Sequence, residues 1–372
     1  MIEMTINQLQ PHLSNTLDSV ASSSRWLAGI IGDRPSQYAK SPSLWNAAFQ
    51  DLEMDAVFLP FDVEPQNLAG LIDGYRECEN LVGGSVTVPY KVDVIPHLDG
   101  LDPKAQQIGA VNTIVRESDG RLIGYNTDGQ GFIDMLIKPL PGHQEAFLDN
   151  LAGMSILLIG AGGAARAVAV FLADAIGSEG RVFICNRTEE KALELIGVLT
   201  ESGTRAEYVD ELDIAEVVEG IDIIVNSTTK GQSGLRIMGE GSVTSLEPYS
   251  ALGPASPSVI PEPEMEETSS ANSLIFQLSH SDILRNFEFS SKILTAVPAS
   301  TCFVDLIYSP LETPMLAQAR ASGHLTLNGR GMNIAQAADA FVNKALIQHL
   351  TDSGFDLEEA YQRVFRTMES IW

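Results

Sequence analysis

The segment Met154–Ile176, MSILLIGAGGAARAVAVFLADAI, constrains the fold more than any other part of the chain. Ile156 to Ile159 are apolar without interruption, as in a strand buried on both faces of a parallel sheet. Gly160 permits a tight exit from that strand, Gly162 lets backbone amides approach a pyrophosphate, and Gly163 with Ala164 lets the following helix pack close to the sheet. The helix N-terminus then presents free N–H groups and its positive dipole end to an anion. Taken alone, the same glycines also suit a plain strand-to-helix turn. Two more units follow, GRVFICNRTEEKALELIGVL and DIIVNSTTKG, and three strands with interleaved helices make a nucleotide-binding half-fold.

The second of these strands bears on the cofactor. After VFIC come Asn186, Arg187 and Thr188, where an NAD-preferring site carries a carboxylate for the ribose 2′-hydroxyl. A guanidinium, a hydroxyl and Lys191 one turn later suit a 2′-phosphate instead, so the segment points to NADP. The alternative is a helix start capped by Thr188 with a solvated arginine.

Upstream, LAGIIGD, SPSLWNAAFQDL and AVFLPFDV alternate strand, helix and strand, and IGAVNTIVRESDGRLIGYNTDG gives two strands around a turn at Ser118-Asp119-Gly120. Such alternation over 372 residues predicts an α/β protein of two domains with mostly parallel sheets. Between Gln232 and Ser300 the periodicity fails in a stretch rich in Pro, Ser and Glu, which reads as a flexible surface insertion, with the acidic 262–267 run as a solvated loop. Trp45 and Met332 read as core.

Three polar residues stand out near strand ends, where ligands bind in such sheets: Lys91 after Thr87 and Pro89, Asn112 inside an apolar strand, and Asp128 in GYNTDG. A lysine facing an aspartate across a cleft can relay a proton to an oxygen while hydride moves to a nicotinamide. An ordinary surface ion pair remains the alternative.

A net charge of −26 repels nucleic acid and anionic lipid, and no run reaches the ~20 apolar residues of a membrane span. The first 26 residues read as a polar leader without signal or transit character. Cys78, Cys185 and Cys302 are odd in number and widely spaced, which argues against a disulfide framework or structural zinc and suits a reducing, cytoplasmic compartment.

Ten stretches in one order, GDRPSQYAKSPSLWNAAF, AVFLPFDV, GGSVTVPYK, IGAVNTIV, GYNTDG, GAGGAAR, NRTEEKA, DIIVNSTTKG, DLIYSPLETPMLAQARASG and GRGMNIAQAADAF, resemble the shikimate dehydrogenases between Leu27 and Phe341. In wording they are most similar to the dehydrogenase half of the plant bifunctional dehydroquinate dehydratase/shikimate dehydrogenases. The resemblance implies NADPH-dependent reduction of 3-dehydroshikimate to shikimate on the route to chorismate and the aromatic amino acids. It implies a substrate-binding domain from 27–129 plus 330–372 and a Rossmann-type NADP-binding domain over 130–329 that carries the insertion. Lys91 and Asp128 become the catalytic pair; Ser41, Thr87, Asn112, Tyr308 and Gln336 become the substrate contacts. Gly160, Ala161, Gly162, Gly163 and Ala164 take the pyrophosphate, Asn186, Arg187, Thr188 and Lys191 the ribose phosphate, and Leu306 and Gly329 line the nicotinamide pocket. No metal is implied, and the partner is the small-molecule substrate, with the assembly left open and a homodimer among its outcomes.

Three departures stand out. The family's Ser-Lys-Ser is Ala39-Lys40-Ser41 here, which removes one donor to a carboxylate, worth roughly 1.5–3 kcal/mol. Gln232 replaces a common methionine, and the insertion is several tens of residues longer than usual. Ala39 keeps open a quinate/shikimate dehydrogenase or one with altered acid recognition. A non-catalytic ligand-sensing relative is the reading from another class, and retention of Lys91, Asp128 and the glycine turn opposes it.

Overall fold

The computed structural model describes residues 7–17, 26–140, 144–239, 241–263 and 268–372. It divides into two units, Met1–Asp149 with Gly331–Trp372, and Asn150–Arg330.

The first unit is built on six strands: β1 (Trp26–Gly32), β2 (Ala56–Asp62), β3 (Leu81–Val86), β4 (Gly100–Leu101), β5 (Thr113–Arg116) and β6 (Leu122–Tyr125), in the order β2-β1-β3-β5-β6-β4. Alternate residues of β1 feed opposite faces: Ala28 and Ile30 pack with Trp45, Phe49, Phe58, Phe341 and Phe365, while Leu27 and Ile31 pack with Phe61, Tyr75, Leu81 and Ile114. Trp45 and Met332 are buried, as their apolar settings in the sequence predict. The sheet is mixed, against the expectation of a mostly parallel one, because the turn at 118–120 folds β6 back antiparallel on β5 and β3 also runs antiparallel to β5. Gly120 at φ +87° closes that turn, with its N–H donated to Glu117 O at 2.9 Å.

Two boundaries differ from the sequence reading. The leader is partly docked: Leu9 and Leu17 are buried, and Asn15 Nδ2 donates to Pro60 O at 3.0 Å while its Oδ1 accepts from Asp62 N at 2.9 Å. One asparagine thus pairs with the outer edge of β2 as a strand would. Residues 130–140 and 144–149 group with the first unit as well, because the helix Asp128–Ile137 buries Phe132, Met135 and Leu136 there, and a Cβ on Gly131 would meet Gln336 N at 2.7 Å and Met332 O at 2.9 Å.

The second unit carries β7 (Ser155–Ile159), β8 (Arg181–Cys185), β9 (Arg205–Val209) and β10 (Ile223–Asn226), then a separate small antiparallel sheet of β11 (Arg236–Gly239), β12 (Ser242–Thr244) and β13 (Ile260–Pro261), then β14 (Cys302–Asp305) and β15 (Thr326–Leu327). The main sheet is parallel throughout, in the order β15-β14-β10-β7-β8-β9. Numbered within the unit, this is the dinucleotide-fold order 3-2-1-4-5-6, with its switch point between β7 and β10.

The stretch 232–300 is folded where a flexible insertion was expected. Beyond β11–β13 it forms the helices Thr268–Leu278 and His280–Leu294. Their inward faces are short and partly polar: Ala271 and Ile275 on the first, Asn286, Ser290, Ile293 and Leu294 on the second. Asn286 accepts from Ser250 N at 2.9 Å and donates to Ser250 O and Pro254 O at 3.0 and 3.1 Å, and Lys230 Nζ donates to Gly253 O at 2.8 Å. Apolar packing holds the stretch as well: Ala251, Leu252, Ile293, Leu294 and Val297 join the core with Phe303 and Met315. Of the acidic 262–267 run, residues 264–267 lie outside the described residues. Among the described residues no helix is long and apolar enough to cross a membrane.

Candidate active site

The C-terminal ends of the strands in the first unit gather its polar side chains. Thr87 follows β3, with its N–H donated to Ile31 O at 2.9 Å, and the chain then turns so that Lys91 O accepts from Val111 N at 2.7 Å. That pairing sets Lys91 beside Asn112, which lies one residue before β5, just outside the strand in which the sequence placed it. The hairpin returns the chain at Asn126-Thr127, and Asp128 begins the helix Asp128–Ile137, where the positive end of the helix dipole favours a carboxylate.

Lys91 Nζ donates to Asp128 Oδ2 at 2.7 Å, with 33% and 15% of the two side chains exposed. Asn112 Nδ2 donates to Asp128 Oδ1 at 2.8 Å and to Thr127 Oγ1 at 3.0 Å, and lies 3.4 Å from Gln336 Oε1. Gln336 is held in turn by its Nε2 bond to Asn333 O at 2.9 Å. The aspartate thus has one oxygen on the lysine and the other on an amide that is itself held, Asn112 Oδ1 accepting from Thr113 Oγ1 at 3.0 Å.

Thr127 escaped the sequence reading. It is fully buried, takes Asn112 Oδ1 at 2.9 Å with its N–H and donates to Gln336 Oε1 at 3.3 Å. The signal was in GYNTDG, where three polar residues in a row close a strand whose neighbours are buried.

Ser41 and Tyr308, the other expected substrate contacts, lie on other elements. Ser41 opens the helix Ser41–Asp51 and, among the described residues, makes no hydrogen bond to this network. Ala39 packs against the cluster containing Trp45 and Phe49, so its methyl faces apolar neighbours. Tyr308 lies in the second unit, 38% exposed.

In the second unit the glycine turn has the form a pyrophosphate cradle needs. Gly160, at φ +114°, has Ser227 packed where a side chain would go, whereas a Cβ on Gly162 or Gly163 would meet open space. Ala161 to Ala164 are partly or fully exposed, and the helix Gly163–Ile176 starts with no side-chain cap, so its first-turn N–H groups stay open for an anion. At the end of β8, Asn186 Nδ2 donates to Thr188 O at 2.7 Å, which shapes the turn. Thr188 is the N-cap by position, yet its hydroxyl makes no capping bond. Arg187 and Lys191 are exposed, and neither joins an ion pair among the described residues. Uncommitted cations in a chain of net charge −26 fit a 2′-phosphate, and this set fits NADP. Gly329 donates its N–H to Ile307 O at 3.0 Å and abuts the Leu306 backbone where any Cβ would clash, so these two residues come together.

Behind them lies Asp305, fully buried. It accepts from Asn226 Nδ2 at 3.1 Å, Ile307 N at 2.9 Å and Thr313 Oγ1 at 2.8 Å, and burial pushes its carboxyl up to about 6. Among the described residues no cluster of His, Cys, Asp or Glu is placed to hold a metal ion.

Comparison with known proteins places these features in context. Residues 30–114 match the shikimate dehydrogenase substrate binding domain, and residues 143–249 match the shikimate / quinate 5-dehydrogenase family. A shikimate dehydrogenase (NADP(+)) of Desulforamulus reducens is 35% identical over 319 residues, covering 85% of this chain and 88% of its own. The Thermus thermophilus shikimate 5-dehydrogenase in complex with NADP(H) and shikimate superimposes with a TM-score of 0.60 at 26% identity, covering 92% of this chain and 99% of its own. The quinate dehydrogenase of Corynebacterium glutamicum in complex with NAD does so with a TM-score of 0.64 at 25% identity, covering 91% and 98%.

Proposed function

The chain belongs to the shikimate dehydrogenase family, and from that premise we propose that the Lys91–Asp128 network is the active site of an NADP-dependent shikimate dehydrogenase. The enzyme interconverts 3-dehydroshikimate and shikimate on the route to chorismate. The observation that carries the assignment is the lysine ammonium held by a carboxylate whose second oxygen is fixed by Asn112.

When bound, NADPH supplies the hydride. The chain supplies everything else. Lys91 Nζ gives its proton to the ketone oxygen in the reduction and takes it back in the oxidation of shikimate. Asp128 keeps that ammonium oriented and balances its charge. Asn112, Thr127 and Gln336 form a polar wall suited to ring hydroxyls, and Thr87 adds a hydroxyl at the neighbouring strand end. Ser41, at the start of its helix, binds the carboxylate. Gly160 to Ala164 would hold the pyrophosphate, Asn186, Arg187, Thr188 and Lys191 the ribose phosphate, and Leu306 and Gly329 the nicotinamide.

Quinate is the second reading, favoured by Ala39 where the family carries a serine. The test of the first reading is product identification: protein, NADPH and 3-dehydroshikimate yield shikimate by chromatography. Unconsumed 3-dehydroshikimate at micromolar enzyme would overturn it.

A further inference from the structure

Strands β10 and β14 lie side by side and end in register at Asn226 and Asp305, both fully buried. Asn226 Nδ2 lies 3.1 Å from each Asp305 oxygen and donates to Lys230 O at 3.1 Å. Asn226 Oδ1 accepts from Thr228 N at 2.9 Å and Thr228 Oγ1 at 2.7 Å, so this asparagine shapes residues 227–230, the loop that leaves β10. Asp305 shapes the loop that leaves β14: its Oδ1 accepts from Ile307 N at 2.9 Å and its Oδ2 from Thr313 Oγ1 at 2.8 Å. The two loops meet twice more. Leu306 N donates to Asn226 O at 2.9 Å, and a Cβ on Gly231, at φ +95°, would lie 2.8 Å from Thr313 Cβ.

Both loops stand on one side of the switch point between β7 and β10. The glycine turn follows β7 and Arg187 follows β8, so the adenosine end of a dinucleotide belongs to the other side, and its second half would lie over the ends of β10 and β14. The contacts agree with that division. Ser227 Oγ donates to Ile159 O at 2.7 Å and fills the place of a Gly160 side chain, so the first loop abuts the glycine turn. The second loop carries Leu306, whose backbone abuts Gly329. Asp305 itself is buried beneath them, and its partners are an amide, a main-chain N–H and a hydroxyl, all neutral donors. It therefore acts on the loops by direction, as a single acceptor group that several donors must face.

We propose that Asp305 is a positioning residue for the nicotinamide half of the dinucleotide: by fixing Asn226 in one loop and Thr313 in the other, it sets the wall formed by Leu306 and Gly329 and leaves the adenosine half alone. The proposal rests on the reading of Leu306 and Gly329 as the nicotinamide pocket. Losing one of these buried bonds leaves a polar group unpaired and frees a loop, which loosens one half of a two-part ligand and not the other.

The experiment compares two ligands on the full chain by calorimetry: NADPH, and 2′-phospho-ADP-ribose, which is NADP without its nicotinamide. Asp305→Ala and Thr313→Val raise Kd for NADPH about three- to twentyfold, the range of a lost buried hydrogen bond. Kd for 2′-phospho-ADP-ribose stays within twofold of the parent, which also shows that the cofactor-binding unit is folded. Thr313→Ser, which keeps the hydroxyl, binds both ligands as the parent does. Fluorescence of the bound dihydronicotinamide shifts toward that of free NADPH in Asp305→Ala and Thr313→Val and stays put in Thr313→Ser. Thr313→Val, which removes one bond and keeps the shape, decides the matter where Asp305→Ala does not fold. Leu306→Ala tests the pocket itself and weakens NADPH alone. If it does so while Thr313→Val weakens neither ligand, or both equally, the proposal is overturned. If Leu306→Ala leaves NADPH binding unchanged, the pocket reading beneath the proposal is overturned.

Discussion

Lys91 Nζ and Asp128 Oδ2 are 2.7 Å apart, and they are brought together by two different devices: a main-chain bond from Val111 to Lys91 and the first turn of a helix at Asp128. The pair is partly exposed, so its contribution to stability is small, under about 1 kcal/mol. On the proposed mechanism its contribution to rate is large. Lys91→Met and Asp128→Asn each lower kcat by about 10²–10⁴, the range for a positioned acid-base group, while thermal denaturation shifts by only a few degrees. A variant with parental kcat would remove that residue from the mechanism.

On the proposed reading the cofactor preference rests on Arg187. Replacing it with alanine removes one charge-assisted bond to the 2′-phosphate, and KM for NADP rises about tenfold or more while KM for NAD stays within twofold. Parallel titrations of the two dinucleotides measure this directly.

Asp305 gives the protein a pH signature. Its carboxyl is pushed up to about 6 from 3.8 by burial, so the folded chain holds that proton more tightly than the unfolded chain does. The stabilisation is complete below the unfolded value near 4 and is lost as pH rises through about 6. A rise of that size corresponds to roughly 3 kcal/mol. In urea unfolding at pH 4.5 and pH 7.5, the stability of the parent relative to Asp305→Asn therefore falls with rising pH, and a pH-independent difference would refute the assignment.

Asn15 tests the docked leader. Its two bonds to the β2 edge predict that Asn15→Ala loses about 1–3 kcal/mol of stability, seen as a lower melting temperature with unchanged kcat.

Much of this architecture was legible because backbone chemistry leaves marks in the sequence. The uninterrupted apolar run before Gly160 admits few folds, and Arg187 stands where an NAD-preferring site carries an acid. The lysine, asparagine and aspartate were visible as polar residues at strand ends, although only the fold shows that Asn112 grips both Asp128 and Thr127. Part of what stayed hidden is held by polar pairing. Asn15 pairs with a strand edge from a segment without apolar periodicity, and Asn286 and Lys230 tie down the 232–300 stretch from helices and loops that read as solvated. A side chain satisfied by backbone groups far away in sequence gives no local pattern to read.

The measurement closest to the central claim is absorbance of reduced nicotinamide with the purified chain, offering NADP or NAD with shikimate or quinate in all four combinations. The account predicts rapid reduction of NADP with shikimate and at least tenfold lower kcat/KM in the other three. Turnover confined to quinate, or silence in every combination, would contradict it.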